Sequence, residues 1–129
     1  MASLPNSYEL KFEQRPGYLY AHVEADAIDS DAVIEYLREV ANKCHEAECS
    51  RLMVVRNIPI TLGIANQFLT TTDFVAMLKG IKAAFVNHYP HNDAELEFAI
   101  TVANNRGGNI HLFRDVQPAE EWLLSNRRN

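Results

Sequence analysis

The sequence predicts an α/β domain built on a five-stranded, mainly parallel sheet. Three observations predict it: two alternating runs joined by a tight turn, short apolar runs rich in valine, and amphipathic segments between these runs. A chain of 129 residues fits one domain, spanning residues 1–129. A hairpin followed by strand–helix units gives the order ββαβαβαβα, with the first strand antiparallel at one edge and about four helices covering the sheet.

The N-terminal hairpin is predicted by the alternation of apolar and polar residues. Residues 8–13 alternate with the period of a half-buried strand, and residues 19–25 do the same. Between them, Pro16 and Gly17 are the residues that a type II turn favours at its two central positions. The first two strands are therefore expected to pair directly.

Three later strands are predicted by short apolar runs. The runs "RLMVVRN" and "GIKAAFVNH" are typical of buried strands, the first of them buried on both faces, and "NIHLFRD" is predicted to be a fifth strand. The segment before the first of these runs has the period of a helix, with Asp29 or Ser30 as its N-cap.

Three further helices are predicted between and after these strands. One extends from Ile64 to Lys79, and its alternative is a loop followed by a shorter helix that starts near Thr72. The next begins at Asp93 after a cap at Asn92. The last is "PAEEWLL", with its proline in the first turn.

The composition excludes two classes of partner. The net charge is -5 and the isoelectric point about 5.5, and the Lys and Arg residues are scattered along the chain. Because proteins that bind nucleic acids normally have a basic patch that contacts phosphates, nucleic-acid binding is not expected.

No segment approaches the ~20 apolar residues of a membrane span, and the N-terminus lacks the pattern of a signal peptide. We therefore expect a cytoplasmic protein.

The stretch "VANNRGGNIHLFRD" is similar to a phosphate-binding loop because two glycines adjoin an arginine. Phosphate loops lead from a strand into the N-terminus of a helix, where free N–H groups and the positive end of the dipole favour an anion. Here the predicted helix comes first, so the glycines lie at its C-terminal end. Gly107 is therefore predicted to end that helix in a left-handed conformation.

Polar residues follow the predicted parallel strands, at the edge where open α/β sheets bind ligands. His88, His91 and Asp93 have the chemistry of metal ligands, and His88 that of a general base. The alternative is a solvated loop that caps a helix, with Arg114 paired to a local acid. Because no nucleophile or third strong ligand completes a site, the sequence predicts no catalytic residue, no metal and no cofactor. The residues expected at this edge are Asn57, His88, His91, Asp93, Arg114 and Asp115.

The segment after the third strand contains more apolar residues than one helix face needs. Most of them are predicted to belong to the core, and some to form an exposed patch that contacts a protein partner or an amphipathic ligand. The residues of this patch are Ile58, Ile60, Leu62, Ile64, Phe68 and Leu69.

Cys44 and Cys49 are the two cysteines of the chain and lie near the end of the first predicted helix. On a continuous helix, residues five apart point to different sides, so a disulfide is not expected. A zinc site with His45 lacks a second pair of ligands. Cys44 is interpreted as a small core residue.

The segments "GIKAAFVNH", "VANNRGGNIHLFRD" and "PAEEWLL" resemble the C-terminal half of the SpoIIAA-like proteins, which belong to the STAS-like group related to anti-sigma-factor antagonists. The resemblance spans about Tyr8 to Leu124 and implies a compact α/β domain without known catalysis. True antagonists of this group switch partners through a phosphorylated serine in an Asp-Ser-Ser-Gly-like turn after a central strand. The corresponding region here reads "RNIPITLGIANQF", in which Thr61 carries the only hydroxyl group, so no switch residue is carried over.

The leading hypothesis is a non-enzymatic regulatory module that binds a protein partner, a second copy of the chain included. A rival hypothesis is a carrier or sensor of a small amphipathic or lipid-like ligand, since the resemblance extends to the CRAL-TRIO lipid carriers. A third is an enzyme that depends on a histidine or a metal, centred on His88, His91 and Asp93.

Overall fold

A five-stranded sheet forms the centre of the fold. The structure is a computed structural model that describes residues 8–61 and 76–125 of the chain. In chain order, the strands are β1 (Glu9–Arg15), β2 (Tyr18–Glu24), β3 (Ala27–Ile28), β4 (Arg51–Asn57), β5 (Ile60–Thr61), β6 (Lys82–Asn87) and β7 (Asn109–Phe113). The central sheet has the order β1-β2-β4-β6-β7, in which β1 is antiparallel to β2 and the other neighbours are parallel. The predicted mainly parallel sheet with an antiparallel edge strand is confirmed.

The N-terminal hairpin has the tight turn that its sequence predicts. Arg15 pairs with Tyr18, so the two strands are joined by Pro16 and Gly17 alone. Gly17 has a φ of 86°, the positive value that a type II turn requires at its third residue. The alternation also holds, because Leu19, Ala21 and Val23 share one buried face.

Three helices are described: α1 (Ser30–Glu46), α2 (Asp93–Asn105) and α3 (Val116–Leu124). Asp29 is the N-cap of α1 and its carboxylate accepts a hydrogen bond from the Ala32 amide at 3.0 Å. A 3-10 turn, Pro90–Asn92, leads directly into α2, so the chain is already helical at Asn92, where the sequence predicts a cap.

The helix predicted from Ile64 to Lys79 lies largely outside the described residues, which resume at Ala76. Ala76 and Met77 are helical, and a turn follows that leads to Gly80. Neither the predicted long helix nor its shorter alternative is therefore decided over residues 62–75.

The sheet has a hydrophobic core on each face. One core packs under α1 and α2, and the other packs under α3. The first contains Leu19, Val23, Tyr36, Val40, Cys44, Leu52, Val54, Ile58, Phe85, Ala103 and Ile110, among others. The second contains Tyr18, Met53, Val55, Ala84, Val86, Ala119 and Leu123. Strands β4 and β6 are buried on both faces, as their apolar runs predict.

A second, two-stranded sheet was not predicted from the sequence. Strands β3 and β5 pair in parallel through Ala27 with Ile60 and Ile28 with Thr61. A strand of two residues is too short to show alternation, so its pairing has no local signal. The pair lies just beyond the ends of β2 and β4 and positions the chain that follows Asn57.

Candidate functional site at the carboxyl edge

The carboxyl edge is the end of the central sheet at which the parallel strands β2, β4, β6 and β7 finish. Glu24 lies beside Asn57, and Arg56 lies beside Asn87, in the register of the sheet. The Asn57 amide donates to the Glu24 carboxylate at 3.1 Å. The residues that the sequence predicts for this edge therefore follow adjacent strands.

Asn87 and Asp93 form a hydrogen-bonded centre at this edge. Asn87 is buried, and its amide nitrogen donates to Asp93 Oδ1 at 2.8 Å and to the Tyr89 carbonyl at 2.7 Å. Asp93 Oδ2 accepts from Arg114 Nη2 at 3.0 Å. Arg114 thus pairs with a local acid, and Asp93 connects the end of β6 to the residue that follows β7. This arrangement fixes the loop geometry and uses the carboxylate oxygens that a metal would need.

The two histidines of this edge point to different surroundings. His91 Nε2 lies 2.8 Å from the Pro59 carbonyl, which ties the 3-10 turn to the start of β5. His88 is exposed, and Asp115 is the N-cap of α3 and also exposed. Over residues 8–61 and 76–125, no three His, Cys, Asp or Glu side chains come together as metal ligands would. The metal-dependent form of the enzyme hypothesis thus has no ligand cluster among these residues, and its histidine-dependent form stays a prediction.

The apolar patch predicted after β4 is only partly described. Ile58 is fully buried in the core under α1, so its assignment to an exposed surface is corrected: it packs within the cluster on that face of the sheet. Ile60 is 52% exposed and remains on the surface. Leu62, Ile64, Phe68 and Leu69 lie outside the described residues.

Phe98 is an exposed aromatic residue that the sequence interpretation did not assign to a site. It lies on α2 and is 59% exposed. The apolar stripe of α2 consists of Leu96, Ala99, Ile100 and Ala103, and successive residues on a helix are 100° apart. Phe98 falls outside that stripe, so the helical spacing of the sequence already indicates that its side chain is exposed.

Arg56 is a buried cation close to the same edge, and the sequence interpretation missed it. Only 2% of it is exposed, and its Nε donates to the Tyr36 hydroxyl of α1 at 3.3 Å. A charged residue directly after the apolar run of β4 was the available signal. The residue is held against α1, on the same face of the sheet as Ile58.

The glycine pair lies at the opposite end of the sheet, the amino edge. Gly107 has a φ of 96°, and the Gly108 amide donates to the Ala103 carbonyl at 3.0 Å, which closes α2. The predicted role of Gly107 as a helix terminator is confirmed. A cavity of about 580 Å³ lies beside it, and Arg51 and Lys82 are among the residues that line it.

Lys82 and His111 stabilise the C-terminal end of α3 near this edge. Lys82 Nζ donates to the Trp122 carbonyl at 2.6 Å and to the Ser125 carbonyl at 3.0 Å, where the helix has free acceptors. The His111 ring stacks on Trp122 with 4.4 Å between ring centroids. Burial, together with the positive charge of Lys82, lowers the pKa of His111 below its ordinary value of 6.5.

This lowered pKa predicts a specific pH dependence of stability. In the folded state His111 stays neutral at pH values where the unfolded chain already binds a proton, so the unfolded state gains protons first. The contribution of neutral His111 to the free energy of unfolding is fully present above about pH 6.5. It is lost as the pH falls through that value toward the folded pKa. His111→Phe keeps a ring against Trp122 and removes the titration. Thermal unfolding from about pH 7 to pH 5 should show a smaller loss of Tm in the variant, and parallel curves would contradict the assignment.

A search of solved structures gives a match over nearly the whole chain. It is a crystal structure of an anti-sigma factor antagonist from Mycobacterium paratuberculosis, with 12% sequence identity and a TM-score of 0.67, and the match covers 96% of this chain and 100% of that one. The chain has the SpoIIAA-like fold. No protein-family model and no curated protein matches the sequence.

The SpoIIAA-like fold agrees with the topology that the sequence resemblance implies. Within the parts of the chain that the structure describes, no helix is long and apolar enough to cross a membrane. The region that would correspond to the switch turn begins after β4, and beyond Thr61 it lies outside the described residues. At 12% identity, the match establishes the fold and no more.

Proposed function

We propose that this domain is a non-enzymatic regulatory module of the cytoplasm that binds a protein partner through its carboxyl edge. The observation that supports it best is the pair of exposed apolar side chains Ile60 and Phe98. They lie on segments that the hydrogen bond between His91 and the Pro59 carbonyl holds together.

The size of these side chains suits them as anchors. Full burial of an exposed large apolar side chain is worth about 1.5–3 kcal/mol. Because Ile60 is 52% and Phe98 59% exposed, burial of the remainder of both contributes roughly 1.5–3.5 kcal/mol to binding. Interface hot spots are typically such well-buried side chains surrounded by polar contacts. The carboxyl edge also has exposed polar groups: His88, Asp115 and the Arg114–Asp93 pair.

The class of partner is inferred from the fold. The solved structure that shares it is described as an anti-sigma factor antagonist, a protein that acts on another protein. We extend only that general property: the partner is a regulatory protein, or a second copy of this chain. The carrier hypothesis stays a prediction, because the apolar segment it needs lies mostly in residues 62–75, outside the described part of the chain.

Replacing either anchor by aspartate is expected to weaken partner binding by roughly 10–100-fold, the equivalent of about 1.5–3 kcal/mol. Ile60→Asp and Phe98→Asp each put a charge where an apolar group is to be buried. Leu124→Asp is the matched control, because Leu124 is 42% exposed and lies at the end of α3, near the amino edge. The measurement is the amount of partner that immobilised wild-type and variant domains retain, with circular dichroism as a check of folding.

Self-association is tested in the same set of proteins by sedimentation velocity over a range of concentrations. If the partner is a second copy, Ile60→Asp and Phe98→Asp sediment as monomers while wild type and Leu124→Asp associate. A wild-type domain that stays monomeric and retains no protein would overturn the proposal. If Leu124→Asp lost as much binding as Ile60→Asp and Phe98→Asp, the partner surface would not be confined to the carboxyl edge.

A further inference from the structure

The chain folds back on itself at the end of α1. Glu48 has a φ of 53°, in the left-handed region that residues other than glycine rarely adopt. The Glu48 amide donates to the His45 carbonyl at 3.1 Å, and the Cys49 amide donates to the Cys44 carbonyl at 3.0 Å. These two hydrogen bonds are the pattern of a Schellman motif. In this motif the residue after the turn returns to contact the last turn of the helix, so Cys49 lies over Cys44.

A continuous helix would place the two cysteines on different sides, as the sequence predicts. The helix ends at Glu46, so this geometry does not apply to Cys49. The Cys44 thiol donates to the Cys49 carbonyl at 3.1 Å. The Cys49 amide also donates to the Cys44 carbonyl, so two hydrogen bonds hold the two residues against each other at the end of α1.

The two thiols have different access to solvent. Cys44 lies on the buried side of α1, and burial raises its pKa to about 11, with the neighbouring Cys49 adding to the effect. Cys49 is only partly buried, and its Sγ lies 3.7 Å from the side-chain amide of Gln14 in β1. A small oxidant in solvent can therefore reach Cys49 first, while Cys44 stays protonated beside it.

We propose that Cys44 and Cys49 are a redox modification site that forms a reversible intramolecular disulfide when a hydroperoxide oxidises the protein. The Cys49 sulfur attacks the peroxide, which gives a Cys49 sulfenic acid and releases an alcohol, or water from hydrogen peroxide. The Cys44 sulfur then displaces the hydroxyl group of the sulfenic acid, the thiol proton leaves with that hydroxyl as water, and the S–S bond forms. A thiol reductant restores both thiols.

The site is separate from the proposed partner surface. It lies at the C-terminal end of α1, whereas Ile60 lies on β5 and Phe98 lies on α2. The disulfide would close a loop from Cys44 to Cys49 and replace the contact of the Cys49 thiol with Gln14. Failure of this proposal therefore leaves the proposed function untouched, and the reverse also holds.

The test is peptide mapping of the full chain after oxidation by a small excess of hydrogen peroxide. Cleavage after Lys43 and Arg51 releases one peptide, residues 44–51, that contains both cysteines. After oxidation we expect this peptide to lose the mass of two hydrogen atoms and to resist alkylation, and both changes to reverse with dithiothreitol. The intact protein remains a single chain.

Two serine variants define the order of the steps. Cys44→Ser is expected to stop at the Cys49 sulfenic acid, which dimedone traps, and Cys49→Ser is expected to leave Cys44 unmodified. Disulfide-linked dimers of the wild-type chain would overturn the proposal. So would a Cys49 that reaches sulfinic acid while Cys44 remains free to alkylate. The wild-type mapping stands by itself if a variant does not fold.

Discussion

Replacing Arg56 by alanine is expected to lower the free energy of unfolding by about 3 kcal/mol. The side chain is 2% exposed, so truncation leaves a cavity under α1 and removes the donor to the Tyr36 hydroxyl. Cavity formation and an unpaired buried polar group are among the mechanisms that give large effects in point variants. Urea denaturation measures the change, with Arg114→Ala as the control: Arg114 is 68% exposed, and its ion pair with Asp93 should be worth less than about 1 kcal/mol.

Two further variants separate packing from charge at Arg56. Arg56→Met keeps most of the side-chain volume and removes the buried charge, and replacement of a buried charge by an apolar group of similar size is often nearly neutral. We expect a loss of about 1 kcal/mol, well below that of alanine. Tyr36→Phe removes only the acceptor and should also cost about 1 kcal/mol. If Arg56→Ala proved as stable as the control variant Arg114→Ala, Arg56 would not be part of the core.

Replacing Gly108 by alanine is expected to destabilise the domain by about 2 kcal/mol. A β-carbon at this position would lie 2.9 Å from the Ala103 carbonyl oxygen and 3.2 Å from its carbon. Both atoms belong to the backbone of α2, and the Gly108 amide donates to that same carbonyl. The contact can be relieved only if the hydrogen bond that closes α2 is distorted.

Gly107 provides a control with a different physical cause. Its φ is 96°, but nothing lies within 4 Å of a β-carbon there, so its substitution is opposed by backbone conformation alone. Asparagine tolerates the left-handed region better than alanine does. Gly107→Asn should therefore be more stable than Gly107→Ala, whereas Gly108→Asn should be no better than Gly108→Ala. Chemical denaturation of the four variants decides this, and rescue by asparagine at Gly108 would contradict the steric account.

The topology was predictable because its signals are local in the sequence. The hairpin appears in the alternation of residues 8–25, and the parallel strands appear in three valine-rich or apolar runs. The direction of the chain at Gly107 also sufficed to predict a helix terminator instead of a phosphate loop. The pair β3 and β5 was not predictable in this way, because two-residue strands gain their stability from pairing across the fold.

The candidate site was less accessible from the sequence because exposure is a property of the tertiary structure. Ile58 and Ile60 look alike in the sequence, yet one is fully buried and the other is 52% exposed. Arg56 could be noticed as a charge directly after the apolar run of β4, but its contact with Tyr36 joins residues that are 20 positions apart. Cys49 returns to Cys44 through the left-handed conformation of Glu48, which no glycine marks in the sequence.

The proposed partner surface is tested most directly by photo-crosslinking from within it. A benzophenone amino acid replaces Ile60 in one protein and, as control, Leu124 in another, and each is irradiated in cells of the native host. The account predicts a discrete protein adduct from position 60, either with a regulatory protein or with a second copy of the chain, and none from position 124. Adducts from position 124 alone, or none from either position at full expression, would contradict it.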